Sequence, residues 1–129
     1  HAVNPNHPEK YDEANRCALN RGIVVKEAAN QKYCTDAFSR AAFLAVCDDA
    51  GVPYQTFANR SDMPGGSTLG NLSNIQVSMH AVDVGIAQYA MHSSFETAGA
   101  RDIANATRAL SAFFKANIVI DGADGAEIS

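Results

Sequence analysis

Short apolar runs alternate along this chain with stretches in which apolar residues recur every three or four positions. Ile23-Val24-Val25 is an unbroken β-branched run, which is typical of a strand buried on both faces. Residues 54–58 and 82–85 are predicted to form two further strands, and residues 118–120 to begin a fourth.

A helix is predicted over residues 35–49, with Thr35 as its N-cap. Gly51 and Pro53 then end it, because neither residue readily continues a helix. The apolar positions that recur at helical spacing are Phe38, Ala41, Ala42, Ala45 and Val46.

The second half of the chain predicts three more helices. A short one opens at Ser67 or Thr68, inside a turn-rich segment. Ser93 and Glu96 have the spacing of a capping box, which predicts a helix from Ser93. A longer helix follows Gly99, and its predicted apolar face is formed by Ile103, Ala106, Thr107, Leu110 and Phe114.

Strands that alternate with helices, over connections too long for hairpins, predict an α/β layered fold with a largely parallel sheet. We expect residues 1–21 to form a surface loop, residues 22–120 the α/β core and residues 121–129 a tail. Such sheets bind ligands beyond the carboxyl ends of their strands. Lys26, residues 62–70 and His92 each follow a predicted strand, so a parallel sheet would gather them at one edge.

Composition narrows the class of protein. With 129 residues, of which 47% are hydrophobic, the chain is long enough for one domain with a packed core. Its net charge is −4 and its basic residues are scattered, which excludes a nucleic-acid-binding surface. Its apolar runs fall short of the roughly 20 residues of a membrane span, and its polar start lacks a signal peptide's apolar region. We therefore expect a cytoplasmic protein without membrane contact.

The three cysteines, Cys17, Cys34 and Cys47, are an odd number at spacings that match neither a zinc knuckle nor a CxxC pair. This usage suits a reducing compartment better than a disulfide scaffold. Their simplest interpretation is as small buried or half-buried residues.

His92 is the most informative candidate for chemistry. If a helix begins at Ser93, its dipole would keep the imidazole neutral, as a metal ligand must be. The alternative is a structural histidine, because no second His or carboxylate lies at a local metal-binding spacing such as HExxH.

Three other features allow two interpretations each. Residues 64–68 could hold an anion or let a substrate approach closely, because glycine lacks a blocking side chain, or they form an ordinary turn. Lys26 is either a solvated strand end or a fixed cation for an acidic ligand. Tyr33 is either a core aromatic or the wall of a site.

Three stretches resemble, in this order and at these separations, the C-terminal third of aspartyl aminopeptidases, which are large oligomeric zinc exopeptidases. They are His-Ala-Val-Asn-Pro-Asn at residues 1–6, Asp-Met-Pro-Gly-Gly-Ser-Thr-Leu-Gly at 62–70, and Asp-Val-Gly at 83–85 with Gln-Tyr-Ala-Met-His-Ser at 88–93. The likeness extends from His1 to about Phe114. It implies the C-terminal portion of a three-layer αβα catalytic domain with a largely parallel or mixed sheet.

The resemblance also implies roles for individual residues. His92 corresponds to the family's terminal metal-ligand histidine. Lys26 matches a lysine that faces the side chain of an acidic N-terminal substrate residue, and Tyr33 matches a tyrosine near the substrate. The family's pocket-lining loop is matched by Gly65, Gly66, Ser67 and Thr68.

The implied enzyme removes N-terminal Asp or Glu from peptides with a metal-activated water. It uses two divalent metals, zinc foremost, and a glutamate as general base. Only His92 of the implied ligands lies in this chain, since the family's Ser-Ala-Asp stretch precedes the His-Ala-Val motif. We therefore expect a piece of a longer enzyme, inactive alone, whose partners are its missing N-terminal part, peptide substrates and further copies of itself.

Two other functions fit the same residues. A non-catalytic packing or interaction module derived from this fold would act through its surface, and an initiator Met shortly before His1 would favour it. An anion-binding domain would use the glycine-rich residues and would bind phosphate without a metal.

Overall fold

The computed structural model describes residues 1–122 and 125–129, and its centre is a three-stranded sheet. Strand β1 (Ile23–Glu27) lies between two neighbours. It pairs in parallel with β2 (Tyr54–Ala58) and antiparallel with β3 (Val84–Ile86). The predicted α/β class is confirmed, and the sheet is mixed.

Helices cover one face of this sheet. Helix α1 (Ala37–Asp49) and helix α3 (Ala100–Lys115) pack together on the side to which Ile23 and Val25 point. The buried cluster at this interface comprises Ile23, Val25, Phe43, Cys47, Val52 and Ala109. Burial of these apolar side chains is the main stabilising contribution to the layer.

The opening segment covers the other face. Val24, on the opposite side of β1, packs with Ala2, Cys17 and Ala87. The backbone of Ala2 bridges to that of Cys17, and its N–H donates to the carbonyl of Gln88 at 3.1 Å. The segment predicted as a surface loop therefore lies largely on the surface, with a short 3-10 helix at Pro8–Lys10, but anchors two of its residues in the core.

The N-cap of α1 is Asp36 rather than the predicted Thr35. The Asp36 carboxylate accepts the backbone N–H of Ser39 at 2.7 Å, and the Ser39 hydroxyl pairs with the backbone N–H of Asp36. The Thr35 hydroxyl makes a tertiary contact instead of capping α1: it accepts the backbone N–H of Asp83 at 2.8 Å. The predicted stop is confirmed: the helix ends before Gly51, which has a φ of +61°.

Helix α3 begins after Gly99 as predicted, but of its predicted apolar face only Ala106 packs against the core cluster. Ile103 and Phe114 are 59% and 81% exposed. The inward face is offset from it by one residue and comprises Asp102, Ala106, Ala109 and Phe113. A buried acid sets this rotation, because the fully buried Asp102 carboxylate accepts the backbone N–H groups of Asn20 and Gly22 at 2.6 and 2.9 Å.

No helix begins at Ser93 in the described part of the chain, contrary to the prediction. A small hairpin takes its place, in which β4 (Gln88–Tyr89) pairs antiparallel with β5 (Thr97–Ala98). Ala90 and His92, in the turn before Ser93, have φ angles of +49° and +69°, in the left-handed region. The capping-box spacing is used within the turn instead, where the Glu96 carboxylate accepts the backbone N–H of His92.

The remaining elements agree with the sequence more closely. Helix α2 (Leu69–Gln76) starts directly after Thr68, as predicted. The strand predicted at residues 118–120 is β6 (Ile118–Asp121), and it pairs with β7 (Gly125–Ile128) inside the predicted tail. Two residues of that tail, 123 and 124, lie outside the described part of the chain.

Two expectations from composition can be compared with the structure. All three cysteines are buried, as predicted, and burial raises the pKa of the Cys17 and Cys47 thiols to about 11. Among the described residues, no helix combines the length and the apolar character that crossing a bilayer requires.

We predict that Asp36→Ala lowers the free energy of unfolding by about 1 kcal/mol at neutral pH, because α1 loses its N-cap. Hydrogen bonding, first from the Ser39 backbone N–H, holds the pKa of Asp36 below its ordinary value of 3.8. A depressed folded-state pKa stabilises the fold above pH 3.8, and this contribution is lost as the pH falls through the lower folded value. Urea titrations at several pH values should therefore show the difference shrinking in acid. Asp49→Ala, at the other end of α1, should show no such loss.

The start of α2 provides a second prediction. A methyl group at Gly70 would come within 2.5 Å of the Cys34 sulfur, whereas one at Gly66 would meet nothing within 4 Å. Gly70→Ala should therefore destabilise the protein by about 1–2 kcal/mol through overpacking, despite alanine's higher helix propensity. Gly66→Ala is the matched control and should be neutral. Adding Cys34→Ala to Gly70→Ala should recover part of the loss in thermal unfolding, and an equal loss in both glycine variants would contradict the packing.

Candidate functional site

A mostly buried ion pair lies at the carboxyl end of β1. The Lys26 ammonium is 3.1 Å from one carboxylate oxygen of Asp83, and the two side chains are only 12% and 8% exposed. Their backbones are also joined, since the Lys26 N–H donates to the Asp83 carbonyl at 2.8 Å. Side chains alternate along a strand, so Lys26 lies on the Val24 face, where the opening segment packs. The pair is therefore held rigidly at the edge of the sheet.

Asp83 connects this pair to the glycine-rich residues. Its second carboxylate oxygen accepts the hydroxyl hydrogen of Thr68, the N-cap of α2. Its backbone N–H donates to the Thr35 hydroxyl just before α1. Asp83 thus joins its own segment to three others: the end of β1, the residues before α1 and the residues before α2.

An open cleft of about 710 Å³ adjoins this cluster. Lys26, Ser67, Thr68 and Asp83 supply its polar lining, and Leu69, Leu72, Val82 and Val84 supply apolar surface. The structure therefore brings together three of the substrate-binding residues implied by the family resemblance. A mixed polar and apolar lining of this kind can hold a substrate side chain and fix its orientation.

Tyr33 fits the first of the two interpretations offered by the sequence, that of a core aromatic. It is a core aromatic, 6% exposed, with its ring edge-to-face against Phe57 at 6.2 Å. The Lys26 ammonium also lies 5.6 Å from the centre of the Tyr33 ring, within the range of a cation–π contact. Tyr33 therefore forms part of the surroundings of Lys26 without lining the cleft itself.

The two glycines of the predicted loop differ in their surroundings. Gly66 faces open space, which leaves the backbone accessible to a ligand. A side chain at Gly65 would collide with the Asn59 amide, and the Gly65 carbonyl accepts a hydrogen bond from the Lys32 ammonium at 3.2 Å. Gly65 lines a second cleft of about 860 Å³ beside the start of α1.

His92 lies in the exposed turn between β4 and β5, and it lines neither cleft. The prediction that it would gather with Lys26 at one sheet edge assumed parallel strands. Because β3 runs antiparallel to β1, its carboxyl end lies at the opposite edge of the sheet. The expected helix dipole is also missing, since no described helix begins at residue 93.

The described residues do not by themselves fit a zinc site. They include no group of three or more His, Cys, Asp or Glu side chains placed to hold a metal ion. A stable zinc site needs three or four protein ligands, so the single imidazole of His92 is insufficient.

Sequence reasoning missed two members of the candidate site. Asp83 interrupts an apolar run, and a buried acid requires a partner, which is the signal that could have identified it. His1 was placed in a loose segment, but its ring nitrogen lies 3.1 Å from the Ile86 carbonyl and its ring packs against Phe57. The absence of a side chain at Gly85 leaves room for both His1 and Lys26, which would lie 3.4 and 3.0 Å from an added methyl.

Known proteins are similar to this chain in both sequence and fold. The family model described as Aminopeptidase I zinc metalloprotease (M18) matches residues 1–114. A probable M18 family aminopeptidase 2 of Mycobacterium tuberculosis is 42% identical over 118 residues, which cover 92% of this chain and 27% of the relative. The chain thus spans little more than a quarter of the length of such curated relatives.

Solved structures agree with this relationship. A chain in the cryo-EM structure of the Ape4 and Nbr1 complex superimposes with a TM-score of 0.86 at 37% identity, over 88% of this chain and 22% of that one. A chain of the S. cerevisiae mApe1 dodecamer gives a TM-score of 0.78 at 29% identity, over 89% and 25%. With the family model matching residues 1–114, the chain belongs to the M18 family of aminopeptidase I zinc metalloproteases.

Proposed function

We propose that the chain forms the C-terminal part of the catalytic domain of a metal-dependent aminopeptidase that removes N-terminal Asp or Glu from peptides. The observation that carries this proposal is the largely buried ammonium of Lys26 in the wall of the cleft. An ammonium in such a setting, with few waters around it, interacts more strongly with a substrate carboxylate than a solvated one does. The family match supports the reaction class.

The residues around Lys26 support a role in holding the peptide. Ser67 and Thr68 line the same cleft with hydroxyl groups, and Gly66 leaves its backbone accessible. The Tyr33 ring lies 5.6 Å from the Lys26 ammonium, within the range of a cation–π contact. We propose that Lys26 binds the acidic side chain and that Ser67 and Thr68 position the substrate beside it. Gly65, which lines the second cleft, and Gly66 are proposed to form the rest of the same substrate-binding loop.

The metal centre is proposed to lie mainly in other parts of the enzyme. The family description names zinc, and we propose two divalent metals, with His92 as one ligand. The general base and the other ligands would come from outside this chain. Because the described residues contain no metal-ligand cluster, we propose that the chain alone is inactive and holds zinc at most weakly. Metal analysis and peptidase assays of the purified chain measure this.

We further propose a homo-oligomeric enzyme in the cytoplasm, without nucleic-acid or membrane partners. The related S. cerevisiae protein was solved as a dodecamer. Several large apolar side chains of this chain are exposed, including Leu69 and Ile75 on α2 and Phe114 on α3. Surfaces of this kind suit contacts with the rest of the polypeptide or with other copies.

A non-catalytic packing module is the second candidate. It is favoured by α2, none of whose residues is buried, and by the lack of a metal-ligand cluster among the described residues. Such a module would associate with its partner without peptidase activity. A peptidase assay of the full-length protein distinguishes the two candidates.

In the full-length enzyme, His92→Ala should strongly reduce both turnover and bound metal, because alanine cannot replace an imidazole ligand. Metal content by atomic emission and the kcat for an Asp-leading peptide are the two measurements. His7→Ala is the matched control, since His7 lies exposed beside Glu9 in the opening segment and should leave both values unchanged. Full metal occupancy with normal turnover in His92→Ala would contradict the assignment.

Lys26→Met should weaken cleavage of Asp- and Glu-leading peptides far more than that of Leu-leading peptides. Removing one partner of a buried charge contact costs about 2–5 kcal/mol, and only acidic substrates would make that contact. The ratio of the kcat/KM values for the two substrate classes measures the effect. Lys115→Met, at the exposed end of α3, is the control. Equal losses for both classes would show that Lys26 does not select the substrate.

A further inference from the structure

We infer that Asp83 is a specificity-determining residue of this cleft, whose negative charge limits how strongly Lys26 selects acidic substrates. The inference rests on the proposed function, because it concerns the same cleft and the same substrate class. Its basis is the charge balance and the hydrogen bonding around Lys26.

The first observation is that Lys26 already has a counter-charge. Its ammonium lies 3.1 Å from the Asp83 carboxylate, and both side chains are nearly excluded from solvent. Other groups near this ammonium include the Tyr33 ring at 5.6 Å, the His1 ring and the amino terminus of His1, none of which carries a negative charge. Lys26 and Asp83 together therefore present a pair with no net charge.

A substrate carboxylate that approaches Lys26 must also approach Asp83. Both residues line the same cleft, so the incoming negative charge is attracted by one and repelled by the other. Like charges placed close together across an interface oppose binding, and they do so more strongly where water is excluded. A substrate with an uncharged side chain experiences no such opposition. Asp83 therefore reduces the advantage of acidic over neutral substrates.

The second observation is that most hydrogen bonds of Asp83 do not require its negative charge. Asp83 accepts the Thr68 hydroxyl hydrogen through its other oxygen, and its backbone bonds to Thr35 and Lys26. An asparagine has nearly the same shape, keeps both backbone bonds and can still accept one side-chain hydrogen bond. Asp83→Asn thus removes the negative charge while leaving most of the cluster intact.

The test compares kcat/KM for Glu-leading and Leu-leading peptides of otherwise identical sequence, in the full-length metal-loaded enzyme. Asp83→Asn should raise the Glu/Leu ratio by about five- to tenfold, mainly through a lower KM for the acidic peptide. Asp83→Glu keeps the charge and should stay within about twofold of the wild-type ratio. Asp49→Asn removes an exposed acid on α1 and should leave the ratio unchanged.

Asp83→Ser provides a second neutral variant if Asp83→Asn does not fold, and it should raise the ratio in the same direction. A ratio that stays the same or falls in the folded neutral variants, while Lys26→Met abolishes acidic preference, would overturn the role of Asp83 and leave the proposed function intact. If the ratio does not respond to Lys26→Met either, the proposed substrate class is wrong, and this inference fails with it.

Discussion

The burial of β1 on both faces is the constraint on which the rest of this structure depends. Ile23 and Val25 point into the layer of α1 and α3, while Val24 packs under the opening segment. A strand covered on both sides has its register and direction determined by packing. The next residue on the Val24 face is Lys26, so the same constraint holds its ammonium at the edge of the sheet, beside Asp83.

Two buried carboxylates then determine how the surrounding elements are oriented. Asp102 accepts two backbone N–H groups of the loop before β1 and so turns α3 toward that loop. Asp83 joins β1, the start of α1 and the glycine-rich residues before α2. A buried acid is costly unless each oxygen is paired, so both residues restrict the arrangement more than an apolar side chain would. Asp102 joins α3 to the loop before β1, whereas Asp83 also lines the candidate cleft.

The chain builds the proposed substrate cleft more completely than the proposed metal centre. Lys26, Ser67 and Thr68 meet around one cleft, whereas His92 stands in an exposed turn. This division is consistent with a chain that spans about a quarter, 27%, of its M. tuberculosis relative. It also agrees with the outward-facing apolar residues of α2 and α3, for which the described residues provide no cover.

The sequence by itself determined the features that depend on neighbouring residues. The extent of β2, the end of α1 before Gly51 and the start of α2 after Thr68 follow from apolar periodicity and turn residues. So does the family, because its motifs are continuous stretches. Only the tertiary structure decided the antiparallel direction of β3, the rotation of α3 and the hairpin in place of a helix at Ser93. Each of these depends on a hydrogen-bonding or packing partner distant in sequence, which local pattern does not specify.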